Sequence, residues 1–203
     1  MMVVPVRSID LLRDSPSDTE PLVARWQASA GFPPEIARLL NTNDTTARAT
    51  LILAIPGHEV QLARGARAAP ADLWVLARTT RGLLSIVVDG NAKSNAASFA
   101  DARVDRPLAP WNALWSLLEI DPARHEHADA RFVHCTVGAL LEARRFFAVA
   151  AAVIVHAVDA GHDSFADLQR FVAVMGGRLN GRGHLAPVPA REGIELFFGC
   201  ATA

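Results

Sequence analysis

The sequence of 203 residues contains no tyrosine, two cysteines and a single lysine, and each shortage excludes a class of protein. Two cysteines, Cys135 and Cys200, cannot cross-link a scaffold of this size or complete a zinc site. Tyrosine is absent, and the other aromatic residues occupy positions typical of a core, so no aromatic platform for stacking nucleic-acid bases is evident. Disulfide-stabilised and zinc-finger proteins are therefore excluded.

The chain also lacks an excess of charge of either sign and a long apolar run. Its 20 basic and 21 acidic residues leave a net charge of −1. Nucleic-acid binding would therefore need a local basic patch. The longest apolar run, residues 148–155, is too short to cross a bilayer, and residues 1–7 do not resemble a signal peptide. We expect a cytoplasmic protein that forms one domain over residues 1–203 and has no membrane partner.

The pattern of apolar residues predicts helices on either side of a strand-rich middle. Two apolar strands that flank residues 79–82 predict an antiparallel hairpin. Residues 151–158 are apolar on both strand faces, which is typical of a central strand covered by helices on both sides. The predicted helices are residues 20–30, 35–40, 111–120, 132–150 and 163–175, and the predicted strands are residues 50–55, 59–62, 72–76, 83–88, 151–158 and 194–198. The sequence therefore predicts an α/β domain with a mixed sheet and helices on both faces.

Two aspartates border the predicted hairpin. Asp72 begins its first strand and Asp89 ends its second, so antiparallel pairing puts both at the same end of the sheet. Two converging carboxylates can hold Mg²⁺, which can polarise a phosphoryl oxygen and generate hydroxide from bound water. We also expect each carboxylate to raise the pKa of the other by repulsion. Ordinary solvated acids at strand ends are the alternative interpretation.

The order of these elements resembles the restriction endonuclease-like PD-(D/E)xK fold: helix, strand, a hairpin that carries both aspartates, helix, strand. Within that superfamily, four stretches resemble a family of small bacterial proteins of unknown function. They are Gly31–Glu35, Ala69–Asp72, Val88–Gly90, and His134–Thr136 followed by Ala139–Ala143. The resemblance implies a Mg²⁺-dependent nuclease, in which Asp72 is the first metal-binding acid and Asp89 is the acid of the (D/E)xK triplet.

The chain departs from this family at the lysine of the triplet, where it has Asn91. The lysine ammonium stabilises negative charge on the scissile phosphate, and an uncharged asparagine does not replace it. Lys93 would lie on the same strand face if the strand continued, and it is the other candidate for this role. The sequence therefore predicts a nuclease-like protein with an impaired or inactive site. The alternative is a non-catalytic derivative that binds nucleic acid or protein.

Further candidates surround this pair in the sequence. Glu35 is either a third metal ligand or an exposed acid near a helix N-terminus. His134 either contacts phosphate or is a hydrogen-bonded helix residue. Arg64, Arg67 and Arg78 form a predicted local basic patch that would contact nucleic-acid phosphates, with solvated arginines as the alternative.

Two further expectations concern the sheet. We expect His156 to be a core imidazole with one backbone partner. The sequence leaves open both a homodimer and whether the C-terminal strand, residues 194–198, is a free edge for pairing between copies.

Overall fold

The computed structural model describes residues 20–60, 69–90, 114–121, 129–158 and 164–203. These ranges contain helices α1 to α4 and strands β1 to β6, together with a short helical segment at residues 114–118. In chain order they are α1 (Glu20–Gln27), α2 (Pro34–Leu40), β1 (Thr50–Val60), β2 (Ala69–Arg78), β3 (Leu83–Asp89), α3 (Ala130–Arg145), β4 (Ala150–Ala157), α4 (Phe165–Val174), β5 (Leu185–Arg191) and β6 (Ile194–Thr202). No helix of the described ranges is long and apolar enough to span a membrane.

The six strands form one mixed sheet in the order β1-β2-β3-β4-β6-β5. Strands β1, β2 and β3 are antiparallel neighbours, whereas β3, β4 and β6 run parallel and β5 returns antiparallel to β6. The backbone N–H of Thr79 donates to the carbonyl of Gly82 at 2.8 Å and closes the β2–β3 turn. The predicted hairpin, the central position of β4 and the general α/β class are confirmed.

Each face of the sheet carries its own hydrophobic core because side chains alternate between the two faces along a strand. On one face, α1 and α2 cover alternate residues of β2, β3 and β4, including Val75, Ile86 and Ile154. On the other face, α3, α4 and residues 114–118 cover Trp74, Val87 and Val153. We name these the α1/α2 face and the α3/α4 face. Helices therefore pack on both sides, as predicted.

The C-terminal half differs from the sequence prediction at one strand. β5 was not predicted because Pro187 and Pro189 interrupt its pattern, and proline cannot donate to a sheet ladder. The structure accommodates both prolines because β5 is an edge strand with one pairing partner, β6. Consequently β6 is paired on both sides, and the question whether residues 194–198 form a free edge is answered: they do not.

Several element boundaries also differ from those predicted. Helix α3 ends at Arg145, not at residue 150, and Phe147, inside the predicted helix, is 90% exposed with a φ of 55°. Strand β1 continues through Pro56, where the sequence predicted two shorter strands. Strand β2 begins at Ala69, so Asp72 lies within the strand and not at its start.

Candidate functional site

Asp72 and Asp89 lie side by side at one end of the β2–β3 hairpin. Their neighbours Leu73 and Val88 are paired across the two strands, and the backbone N–H of Gly90 donates to Asp72 Oδ2 at 2.8 Å. Both carboxylates lie on the α3/α4 face, because strand alternation puts them on the side of Trp74 and Val87. Asp89 is buried and Asp72 is half-buried. The predicted convergence is confirmed, whereas metal binding stays a prediction.

Arg131, near the start of α3, brings a positive charge to this pair. Its Nε lies 3.2 Å from Asp89 Oδ2, and its Nη2 lies 3.5 Å from Asp129 Oδ2. Asp129 also caps α3, because its Oδ1 accepts the backbone N–H of Arg131 at 2.9 Å. We name Asp72, Asp89, Asp129 and Arg131 the Arg131 cluster. The sequence did not predict the contact between Arg131 and Asp89.

Burial controls the titration of the Arg131 cluster. It raises the pKa of Asp72, and the Gly90 N–H, Asp89 and Arg131 oppose that rise. The expected repulsion between Asp72 and Asp89 is therefore not the cause. Burial also raises the pKa of Asp129, against the attraction of Arg131. The thiol of Cys135, in the next turn of α3, has a pKa well above its ordinary value because it is buried, and Asp89 adds to that effect.

The arrangement does not fit a divalent cation as it stands. Mg²⁺ takes oxygen ligands in near-octahedral geometry and needs at least one or two free carboxylates. Here Arg131 lies against Asp89 Oδ2, and the Gly90 N–H holds Asp72 Oδ2. In the ranges that the structure describes, no group of three or more His, Cys, Asp or Glu residues is arranged to hold a metal ion. A metal at this edge would have to displace the guanidinium.

Glu35, the third predicted metal ligand, lies on the opposite face of the sheet from Asp72 and Asp89. Its carboxylate is buried on the α1/α2 face, where Arg25 donates from Nε and Nη2 at 2.9 and 3.0 Å. Its Oε1 also lies 3.0 Å from His156 Nε2. The expectation of an exposed helix acid is wrong as well. Both interpretations fail because Arg25, on the preceding helix, and His156, on β4, enclose the carboxylate.

His156 has two side-chain partners, where one backbone partner was expected. The indole N–H of Trp26 donates to His156 Nδ1 at 3.2 Å. Since Trp26 can only donate, Nδ1 is the acceptor and the ring proton resides on Nε2, which donates to Glu35. We name Arg25, Trp26, Glu35 and His156 the Glu35 network. Arg25 holds the pKa of Glu35 down at about 2, and burial lowers the pKa of His156.

Arg78, one of the three arginines of the predicted basic patch, lies away from the aspartate pair. Arg78 is the last residue of β2, so it lies about 20 Å along the strand from Asp72 at about 3.3 Å per residue. Its side chain is exposed. Arg64, Arg67, Asn91 and Lys93 lie outside the described residues, and their roles stay predictions.

Of the two residues of the predicted phosphate-binding set that the structure describes, Arg78 and His134, it is His134 that lies near the Arg131 cluster. It is half-buried on α3, three residues after Arg131, so the two side chains lie on neighbouring parts of one helix face. This position is compatible with either interpretation of His134, and a contact with phosphate stays a prediction.

The comparisons with known proteins yield one family. A family model described as "Domain of unknown function (DUF6946)" matches residues 15–203, which is most of the chain. No curated protein and no solved structure matches the chain significantly. What the protein does must therefore be argued from its own residues and geometry.

Proposed function

The chain belongs to that family of unknown function, and we propose that it is a nuclease-like protein of the restriction endonuclease-like fold whose phosphodiesterase site is impaired. The order of elements supports the proposal. Helix α2, strand β1, the β2–β3 hairpin, helix α3 and strand β4 follow each other in the order that the resemblance implies. The two motif acids, Asp72 and Asp89, converge at the end of the hairpin.

The contact between Arg131 and Asp89 is the observation that carries the impairment. The acid of the (D/E)xK triplet must be free to bind a metal ion that polarises the phosphate and activates water. Instead, a guanidinium lies 3.2 Å from its Oδ2. The triplet also has Asn91 in place of lysine, so it lacks the charge that would stabilise the transition state. Both features reduce hydrolysis by this pair of carboxylates.

Cleavage of nucleic acid tests the proposal. Wild-type protein would be incubated with labelled single- and double-stranded DNA and RNA in Mg²⁺ and in Mn²⁺, beside the Asp72→Ala variant prepared identically. We expect equal rates for the two proteins, since the wild type has no cleavage for Asp72 to support. Wild-type cleavage more than about tenfold above the variant would show about 1.4 kcal/mol of transition-state stabilisation by this site and would overturn the proposal.

A further inference from the structure

We propose that Arg131 is the built-in cation of this site, and that its guanidinium neutralises Asp89 and Asp129 in place of a divalent metal. The inference rests on the proposed function for the identity of the two motif acids. It goes further by assigning the site a permanent positive charge that comes from the chain. The protein then folds and remains stable without binding a metal at this edge.

Three contacts fix the position of the guanidinium. Its Nε lies 3.2 Å from Oδ2 of Asp89 on β3, and its Nη2 lies 3.5 Å from Oδ2 of Asp129 at the start of α3. The ring of Phe132 lies beneath it, with the guanidinium carbon 4.4 Å from the ring centroid. The Arg131 side chain is only 16% exposed. The guanidinium is therefore enclosed by two carboxylates and an aromatic face.

The charges of the cluster explain why a cation is required. In the part of the chain that the structure describes, the carboxylates of Asp89 and Asp129 contact the guanidinium of Arg131, Asp72 lies within reach of its charge, and Arg170 also acts on Asp129. Without Arg131, Asp89 and Asp129 would lose the guanidinium that pairs with them, and removing one partner of a buried ion pair strongly destabilises a folded protein. A divalent metal is the other species that could supply this charge.

Thermal unfolding with and without metal separates the two sources of charge. We expect millimolar Mn²⁺ or Mg²⁺ to leave the Tm of the wild type unchanged relative to EDTA. The Arg131→Met variant should lose about 10 °C in EDTA, the shift expected when a buried ion pair is broken in a protein of this size. Mn²⁺ should restore at least half of that loss, because the vacated carboxylates then bind the metal in the folded state. As a control, Arg144→Met removes a half-exposed partner of Glu192. It should change neither the Tm in EDTA nor the response of the Tm to Mn²⁺.

Two more variants keep the test decisive. Arg131→Lys retains the charge, so it should fold and remain insensitive to metal, even if Arg131→Met fails to fold. Asp89→Asn combined with Arg131→Met should recover stability in EDTA and lose the response to Mn²⁺. Stabilisation of the wild type or of Arg131→Lys by Mn²⁺, or an unchanged Tm for Arg131→Met, would overturn the inference. The unfolding measurements contain no nucleic acid and are therefore independent of the cleavage assay. Cleavage by the wild type would overturn the proposed function and leave this comparison of Tm values intact.

Discussion

The two faces of the sheet carry buried polar groups that differ in the balance of positive and negative charge. On the α1/α2 face, the Glu35 network is balanced: one guanidinium, one carboxylate and one neutral imidazole each have a partner. On the α3/α4 face, the Arg131 cluster sets three carboxylates against one guanidinium. Both groups lie near the C-terminal ends of β3 and β4, so the difference in charge balance does not come from their position along the strands.

The difference shows that burial alone does not determine what a polar group does. In the Glu35 network, the ion pair with Arg25 outweighs burial and keeps the pKa of Glu35 at about 2. In the Arg131 cluster, burial outweighs the available partners and raises the pKa of Asp72. Ionisation of Glu35 therefore stabilises the fold at neutral pH, whereas ionisation of Asp72 opposes it.

The largest effect on this comparison should come from Glu35→Gln, which removes the charge of the balanced network. The pKa of Glu35 is depressed from 4.5 to about 2, so its ionised form stabilises the fold. This contribution is complete above pH 4.5 and is lost as the pH falls towards 2. Because Arg25 is 41% exposed, we expect Glu35→Gln to lower the free energy of unfolding at pH 7 by about 1–3 kcal/mol. Denaturant unfolding measures this loss, which should disappear near pH 2.

A surface ion pair provides the control for Glu35. Glu192 pairs with Arg144 at 2.9 Å, with both side chains about half-exposed. Glu192→Gln should therefore change stability by less than about 0.5 kcal/mol. If the two variants behaved alike, the Glu35 network would be no more than a solvated ion pair, and the contrast between the two faces would fail.

The sequence predicted the fold better than it predicted the contacts. The hairpin and the convergence of Asp72 and Asp89 follow from short-range signals, namely two apolar strands around a tight turn. Strand β5 was missed because Pro187 and Pro189 are compatible with a strand only at an edge, and edge position depends on the complete sheet. Phe147 was included in the predicted helix over residues 132–150 because its spacing continues that of α3. The helix, however, ends before it.

Neither polar cluster could have been predicted in full from the sequence. Glu35 and His156 are 121 positions apart, and Trp26 and His156 are 130 apart. No local spacing pattern joins residues so distant, and only the packing of α1 and α2 on β4 brings them together. Arg131 likewise reaches Asp89 only because α3 packs along β3. Composition also concealed it, since arginine is so frequent in this chain that a single one carries little information.

Replacement of Asp72 should change the stability less than Glu35→Gln does, and in the opposite direction. Asp72 has a raised pKa in the folded protein, so its ionisation opposes folding, and stability falls as the pH rises through that pKa. Asp72→Asn removes this charge, and its amide oxygen can still accept the Gly90 N–H. We expect the Tm at pH 7 to rise by about 2–4 °C, the shift that about 1 kcal/mol produces at this size, with no gain at pH 3. Asp44→Asn, at an exposed position, should not change the Tm. A loss of stability in Asp72→Asn would mean that the cluster is already balanced.

The last prediction concerns the pH at which the His156 ring becomes charged, and it involves the smallest expected effect. Its ring is fully buried and accepts the Trp26 N–H at Nδ1, and burial lowers its pKa. Protonation would put two N–H donors face to face, so the ring, with its proton on Nε2, should become charged at a lower pH than an ordinary imidazole with a pKa of about 6.5. Because unfolding frees the ring to bind a proton, stability should decrease as the pH falls below about 6.5. Long-range ¹⁵N–¹H correlation spectra, with a histidine peptide as reference, measure both the tautomer and the titration. A proton on Nδ1, or a ring that titrates at the same pH as the peptide, would contradict this prediction. Either result would show that Trp26 does not donate a hydrogen bond to His156.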